Sequence, residues 1–375
     1  MRVPPALLEH WMRQYYFAVE ADLGSSGVED FPFGELRALL GLGQDELDAL
    51  VFQDSQTLGG TELREALARR FAGGRAERVM ATHGSTEANF LLMHALLKPG
   101  DEVVALKPIY PQLATVAAAI GCTVRPWRLR PERGWRPDVE EGCALITPRT
   151  RMVIVNFPHN PTGATLTPGE LDALVGACDR VGAWLAWDAA FAELAHDAPP
   201  LPDPALRYER AVSMGTLSKA YGLPGLRVGW AVAEPAVLDA MVHLRDYTTL
   251  HLSPLVELVA RRAVERGDRI VERRAAQARR NRDAVDRWIA GRPGAVSWTL
   301  PEGGACGFPR LHEVPDVEAF CHRLAREHRV LLVPGTCFGV PGHVRLGFGR
   351  AAEELEAGLE RLAGALEEAA APALV

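Results

Sequence analysis

From about residue 60 onward, the chain alternates between short apolar runs and longer segments of helical pattern. The run at residues 151–156 is almost continuously apolar, as expected for a strand that is buried on both faces. Further strands are predicted at residues 78–82, 102–106, 123–128, 183–187, 211–214 and 227–232. Helices are predicted between them at residues 61–71, 85–97, 111–120 and 168–181. This alternation predicts an α/β fold with a mostly parallel, doubly wound sheet.

After residue 235 the apolar runs become shorter and fewer. Residues 268–290 are rich in Arg and Ala and predict a long, solvated helix. Two short strands and a last helix are predicted near residues 330–333, 344–348 and 352–369. We therefore predict a large domain over residues 31–252 and a small α+β domain that combines residues 1–30 with residues 253–375.

The composition favours a globular protein that acts on small molecules. The 375 residues are 48% hydrophobic, enough for a sizeable core, and carry a formal net charge of −7. An acidic chain is a poor candidate for binding nucleic acid or an anionic membrane, whereas cationic small molecules suit it. Six irregularly spaced cysteines without a C-x-x-C pair predict reduced thiols and a cytoplasmic location. We expect no signal peptide, no membrane-spanning segment and no metal site.

The strongest chemical motif is the segment SMGTLSKAYGLPGLRVG at residues 213–229. Its lysine, Lys219, lies in a glycine-rich turn between two apolar strands, although a lysine in such a turn is more often simply solvated. An amine that attacks an aldehyde needs a lowered pKa, which burial beside other cations provides. Arg227 could bind a phosphate dianion through two N–H groups, and Thr216 could add a hydroxyl.

This motif resembles that of the class I and II aminotransferases, a family of fold type I enzymes that use pyridoxal 5′-phosphate (PLP). The resemblance implies that Lys219 holds PLP as a Schiff base and later removes the Cα proton of the substrate. Further family motifs follow in order between residues 24 and 349. They imply phosphate contacts from Gly84, Ser85 and Thr86, ring stacking by Tyr110, an O3′ contact from Asn160, a partner for the pyridine nitrogen in Asp188 and a clamp for the substrate carboxylate in Arg345. Each motif alone also fits an ordinary cap, turn or packing residue, but six in the expected order favour a cofactor site.

Two positions depart from the family pattern. The family has Tyr three residues after the aspartate, whereas this chain has Phe191, which leaves Asn160 as the expected partner of O3′. Family members also have a Tyr that reaches the other subunit's phosphate across the dimer. Our alignment places Asp54 at that position, where an acid would repel phosphate but could meet a cationic substrate tail. An exposed loop acid is the simpler alternative for Asp54.

A narrower resemblance, over nearly the whole chain, is to the capreomycidine synthases. The matching segments lie at residues 23–28, 33–38, 156–163, 217–230 and 252–257. This resemblance implies a homodimer that dehydrates and cyclises a 3-hydroxylated L-arginine into a cyclic guanidine, in antibiotic pathways of the viomycin, capreomycin or streptothricin type. It also implies a substrate site that contains Ser26, Gly27 and Asn160 beside Arg345.

Loss of a β-hydroxyl requires a general acid, because hydroxide is a poor leaving group. The protonated Lys219 is the first candidate, and Glu29, His83, His159 and Tyr221 are alternatives. Whether the arginine carries one or two hydroxyl groups is left open. The main alternative function is an aminotransferase that uses arginine or another amino acid with 2-oxoglutarate. A non-catalytic PLP-binding regulator is disfavoured, because the N-terminus offers too few residues for a helix-turn-helix.

Overall fold

A computed structural model describes residues 3–370 of the chain. Its strands are β1 (Ala21–Asp22), β2 (Val79–Thr82), β3 (Glu102–Lys107), β4 (Thr123–Arg128), β5 (Thr150–Asn156), β6 (Trp184–Asp188), β7 (Ala211–Thr216), β8 (Gly229–Val232), β9 (Val296–Ser297), β10 (Cys306–Gly307), β11 (Arg310–Leu311), β12 (Val330–Leu331), β13 (Val333–Pro334) and β14 (Val344–Gly347). Its α-helices are α1 (Leu7–Tyr15), α2 (Phe33–Leu40), α3 (Gln44–Asp48), α4 (Thr61–Phe71), α5 (Gly84–Leu96), α6 (Pro111–Ile120), α7 (Val139–Leu145), α8 (Pro168–Val181), α9 (Pro235–Arg245), α10 (Pro254–Glu265), α11 (Gly267–Ala290), α12 (Val317–Glu327) and α13 (Ala352–Ala370).

Seven strands form the central sheet, in the order β2–β8–β7–β6–β5–β3–β4. The neighbours from β7 through β4 are parallel, whereas β8 runs antiparallel to both β7 and β2. All six residues of β7 and six of the seven residues of β5 are buried, which explains their nearly continuous apolar sequence. The predicted α/β fold with a mostly parallel sheet is confirmed.

Several motif residues meet at one edge of this sheet, beyond the carboxyl ends of its parallel strands. Asn156 at the end of β5 is paired with Asp188 at the end of β6, and Thr216 ends β7. The crevice at this edge is the usual ligand site of such sheets.

The predicted start of β8 at Arg227 is wrong by two residues. Arg227 has a left-handed backbone (φ 53°), so the strand begins only at Gly229.

Three small sheets lie outside the central one. In them, β1 pairs with β12, β9 pairs with β11, and β14 lies between β10 and β13. The strands predicted near residues 330–333 and 344–348 are present, the first of them divided into β12 and β13. The domain boundaries at residues 30 and 252 stay a prediction, and the predicted ends of the small domain, residues 1–2 and 371–375, lie outside the described residues. Within residues 3–370, no helix is long and apolar enough to cross a membrane.

The N-terminal helix α1 is an element that the sequence analysis did not predict. One of its faces is buried through Leu8, Trp11 and Tyr15. The Trp11 Nε1 donates to the Leu332 carbonyl at 2.8 Å, and the Tyr15 hydroxyl lies 2.5 Å from His322 Nδ1. These contacts fix α1 against the small sheets, so that its opposite face is held over the edge where the motif residues meet.

Candidate active site

Lys219 lies in the turn after β7 and lines two adjoining cavities at the carboxyl edge of the sheet. Its Nζ donates to Ser26 Oγ at 3.0 Å. Burial and the nearby Arg345 guanidinium lower the pKa of Lys219 to about 8, while the Glu9 and Asp188 carboxylates oppose this shift. A neutral amine is therefore accessible at mildly basic pH, as attack on an aldehyde requires.

The larger cavity, of about 750 Å³, contains a cup of hydrogen-bond donors. Helix α5 begins there at Gly84, whose φ of +75° is unfavourable for other residues. A Cβ on Gly84 would lie 2.8 Å from Arg227 Nη2, and a Cβ on Gly229 would lie 2.4 Å from the Ser85 nitrogen. The glycines thus let the helix N-terminus, with Ser85 and Thr86, approach the guanidinium closely. This combination of helix amides and arginine suits a phosphate group.

Two hydroxyl groups complete the cup. The Ser218 amide donates to Thr216 Oγ1 at 3.1 Å, and Arg227 Nη1 donates to Ser218 Oγ at 3.4 Å. Both hydroxyls line the larger cavity, so Thr216 lies where the sequence predicts it. Ser218 belongs to the lysine motif, but its contact with Arg227 was missed because it depends on how the turn folds back.

Asp188 also lines the larger cavity, at the end of β6. Only 6% of this residue is exposed, and its Oδ1 accepts from the Ala190 amide at 2.9 Å. Burial raises the pKa of Asp188 to about 6, although the Ala190 hydrogen bond and the charge of Lys219 act in the opposite direction. A protonated pyridine nitrogen at this position would stabilise the carboxylate, which is the role that the family resemblance implies.

Asn160 and Phe191 line the same cavity. The Asn160 amide nitrogen of the backbone donates to Asn156 Oδ1 at 2.8 Å, which attaches the turn to the end of β5. The Asn160 Oδ1 accepts from Arg345 Nη1 at 3.4 Å. The Phe191 ring is buried, with its centroid 5.6 Å from Lys219 Nζ. The cavity wall therefore presents an apolar ring where the family has a hydroxyl, and the predicted O3′ contact rests on Asn160.

The smaller cavity, of about 340 Å³, is lined by three of the five residues predicted to bind the substrate, namely Ser26, Gly27 and Arg345. Arg345 in β14 is buried, and its Nε and Nη2 donate to the Gly24 carbonyl at 3.0 and 2.8 Å. Ser26 and Gly27 line the same cavity, and a Cβ on Gly27 would lie 3.2 Å from the Ser218 carbonyl. The structure thus brings these predicted residues together around Lys219, and their roles toward a substrate stay predictions.

Tyr110 precedes α6 and lines both cavities. Its hydroxyl donates to Glu9 Oε1 at 2.9 Å. Burial and this carboxylate raise the pKa of the Tyr110 hydroxyl, which therefore stays protonated. The position agrees with the predicted aromatic wall, but the contact with Glu9 was missed because α1 was missed.

Asp54 does not line either cavity within the described chain. Its side chain is exposed and lies 3.1 Å from His251 Nε2. The proposed contact between Asp54 and a substrate tail is thus not made within one subunit, and it stays a prediction for the assembled dimer. Among the lining residues that the sequence analysis missed are Glu9, Arg13, Thr248 and Thr249. The helical spacing of Leu8, Trp11 and Tyr15 is the signal that could have revealed the first two.

The amine, the anion cup and the buried carboxylate fit PLP and define a class of protein, the PLP-dependent enzymes of fold type I. In this chain Lys219 would hold the aldehyde carbon, the cup at Ser85 and Arg227 would hold the phosphate, and Asp188 would face the ring nitrogen. The chain belongs to the class I and II aminotransferase family, whose family model matches residues 44–362.

Similar proteins narrow this assignment. The chain is 47% identical to capreomycidine synthase of Streptomyces vinaceus, over 95% of this chain and 92% of that protein. It is 34% identical to the arginine–pyruvate transaminase AruH of Pseudomonas aeruginosa, over 88% of this chain and 90% of that protein. The crystal structure of the PLP-dependent cyclase OrfR matches with a TM-score of 0.93 and 46% identity, over 98% of each chain. The predicted resemblance to capreomycidine synthase is confirmed.

Replacing Arg345 with glutamine is expected to raise the KM for an amino-acid substrate by about 10²-fold. Two charge-assisted hydrogen bonds to the substrate carboxylate would be lost, at about 1.5 kcal/mol each. Steady-state kinetics and the absorbance of bound PLP measure this, with an unchanged cofactor spectrum as the sign of an intact site. Arg345→Lys should give an intermediate KM, because lysine keeps the positive charge but lacks the two parallel N–H groups with which a guanidinium binds a carboxylate. An unchanged KM in Arg345→Gln would exclude the carboxylate role.

Proposed function

We propose that this protein dehydrates and cyclises a 3-hydroxylated L-arginine to a capreomycidine-type cyclic guanidino amino acid. The observation that carries this proposal is the 47% identity to capreomycidine synthase over 95% of the chain. The cofactor site by itself is common to cyclases and transaminases, so it does not separate them. The similarity to the cyclase OrfR gives further support.

PLP, when bound, supplies an electron sink that makes the substrate Cα proton acidic. Lys219 would take this Cα proton on its Nζ and give a proton to the leaving β-hydroxyl, which departs as water when the Cβ–O bond breaks. The guanidinium would then give a proton to Lys219 and form a bond from one of its nitrogens to Cβ, and Lys219 would pass that proton to Cα. The sum is loss of one water molecule, with no oxidant, reductant or second substrate.

The structure bears on the candidates for the general acid. His159 is buried, its two ring nitrogens lie 2.8 and 2.9 Å from Thr162 Oγ1 and the Pro108 carbonyl, and burial lowers its pKa to about 4. Glu29 is paired with Arg274. Neither of them lines the larger cavity, and neither does Tyr221, which leaves Lys219 and His83. We favour Lys219, because a general acid contributes about 10²–10⁴-fold only when it reaches the leaving atom.

The ring closure has an energetic constraint. A guanidinium with a pKa of about 13.8 must lose a proton before it attacks, which costs roughly 9 kcal/mol at neutral pH. Holding the tail folded over Cβ can recover about 7–11 kcal/mol through effective molarity. Catalysis therefore depends on residues that fix the position of the tail.

The competing function is transamination, which the 34% identity to an arginine–pyruvate transaminase supports. The test is to incubate the purified enzyme with 3-hydroxyarginine in the absence of any keto acid and to follow the mass of the amino acid. We expect a product that is lighter by one water molecule. An unchanged mass, with amino transfer only after pyruvate or 2-oxoglutarate is added, would establish the transaminase instead. Parallel assays with mono- and dihydroxylated arginine identify the substrate.

We also propose a homodimer, a cytoplasmic location and a role in antibiotic biosynthesis. Large apolar residues next to the cavity-lining Thr248 and Thr249 are exposed in one subunit: Tyr247 is 91% and Leu250 is 50% exposed. A partner that covers them would support the homodimer, which sedimentation in solution measures directly. All six cysteines are free, which supports a reducing compartment.

A further inference from the structure

Glu9 lies on the face of α1 that is turned toward Lys219, and it lines both cavities. The opposite face of α1 is held by the buried Trp11 and Tyr15, so the position of Glu9 is set by packing rather than by chance exposure. Glu9 also acts on the charge of Lys219, whose pKa it raises through its negative charge. A carboxylate is therefore fixed within electrostatic range of the reacting amine.

Both hydrogen bonds of the Glu9 side chain are made by the same carboxylate oxygen. Its Oε1 accepts from the Tyr110 hydroxyl at 2.9 Å and from Gln112 Nε2 at 3.2 Å. Across residues 3–370, we find no donor to Oε2 and no basic side chain within 4.0 Å of Glu9. Two neutral donors thus orient the carboxylate and leave its second oxygen available for a ligand.

Each of the other carboxylates that line these cavities has a basic side chain, or would have the cofactor nitrogen, as its partner. Asp30 in the smaller cavity is 3.0 Å from Arg350 Nη1. Glu87 in the larger cavity accepts from the His83 amide at 2.6 Å and lies 3.6 Å from Arg245 Nη2. Asp188 would be the partner of the cofactor nitrogen. Glu9 is thus the acid that the described chain leaves without a cation at the substrate side of Lys219.

We infer that Glu9 binds the cationic guanidinium tail of the substrate and determines the preference for arginine-type amino acids. Lys219, Arg345, Tyr110 and Glu9 all line the smaller cavity, so a substrate whose carboxylate is bound by Arg345 would have Glu9 in the wall around its side chain. A carboxylate oxygen and a guanidinium form a short, charge-assisted hydrogen bond. This inference rests on the arginine-type substrate of the proposed function, but it does not require dehydration or ring closure.

A purely structural role for Glu9, as the anchor of Tyr110, predicts a different result. Glu9→Gln keeps the size of the side chain and keeps an oxygen that can accept from the Tyr110 hydroxyl. The anchor would survive this change, whereas the attraction for a cation would not. In Glu9→Gln, the remaining charged residue on this face of α1 would be Arg13, which is exposed and lies one turn further along the helix. Its positive charge would repel a guanidinium.

The experiment titrates the holoenzyme with L-arginine and with L-citrulline, which has the same length and a neutral ureido group. The absorbance of bound PLP reports binding. We expect the wild type to prefer arginine, and Glu9→Gln to weaken arginine binding by about 10- to 10²-fold, the effect of one charge-assisted hydrogen bond. Citrulline binding should change by less than about threefold. Glu132→Gln, which removes an exposed acid outside both cavities, is the matched charge control and should leave both affinities unchanged.

Each result has one meaning. An unchanged preference for arginine in Glu9→Gln, or an equal loss of arginine and citrulline binding, overturns the tail contact. A wild-type enzyme that prefers arginine through Glu9 but releases no water from 3-hydroxyarginine would overturn the proposed cyclisation and keep the role of Glu9. Release of water from 3-hydroxyarginine, together with an unchanged preference for arginine in Glu9→Gln, would overturn the role of Glu9 and keep the proposed cyclisation.

Discussion

Replacing Lys219 with alanine is expected to lower turnover by about 10⁴-fold or more and to abolish covalent retention of PLP. The same side chain would hold the cofactor, take the Cα proton and protonate the leaving hydroxyl, and acid–base assistance alone contributes about 10²–10⁴-fold. Borohydride reduction followed by peptide mass spectrometry measures the attachment. In the wild type the reduced cofactor should be found on Lys219, and in the variant no peptide should carry it.

The chain offers a matched control, because it contains three lysines and the other two, Lys98 and Lys107, are exposed. Lys107→Ala should keep turnover within about twofold and should keep the reduced cofactor on Lys219. Turnover of Lys219→Ala within tenfold of the wild type would refute the assignment. A reduced cofactor attached to Lys98 or Lys107 would refute it as well.

Replacing Asp188 with asparagine is expected to lower kcat by about 10²–10³-fold. Removing one partner of a buried ion pair costs about 3–5 kcal/mol, and here the remaining partner would be the protonated ring nitrogen that makes PLP an electron sink. The carboxylate is buried, with a pKa raised to about 6, so bulk water would not replace it. The measurement is kcat with 3-hydroxyarginine, compared with the PLP content of the purified variant.

A rescue experiment separates this electronic role from simple damage to the site. A PLP analogue that is methylated on the ring nitrogen carries a permanent positive charge and does not need the carboxylate to keep it. Reconstitution of Asp188→Asn with this analogue should restore turnover by at least about tenfold, whereas the wild type should not gain. If kcat falls less than tenfold, or if the analogue gives no rescue, Asp188 does not support the ring nitrogen.

Much of the fold and of the cofactor site could be predicted from local sequence pattern. The apolar run of β5 and the turn around Lys219 are encoded by neighbouring residues, and they are present where they were predicted. The start of β8 was predicted too early, because the periodicity does not reveal the left-handed backbone of Arg227. Helix α1 was missed because its N-terminus has no side-chain cap and its stability comes from distant partners.

The sequence alone determined the class of protein, since the order of the lysine, aspartate and glycine motifs depends on chemistry that each short segment carries by itself. Only the tertiary structure showed which acids lie near Lys219. Asp54, which the alignment placed near the substrate, is exposed and paired with His251 within one subunit, whereas Glu9 lines the smaller cavity together with Lys219. The physical reason is that α1 is positioned by contacts such as Trp11 to Leu332, and a contact between residues 321 positions apart leaves no local pattern in the sequence. Burial, which lowers the pKa of Lys219 to about 8, is likewise a property of the assembled fold.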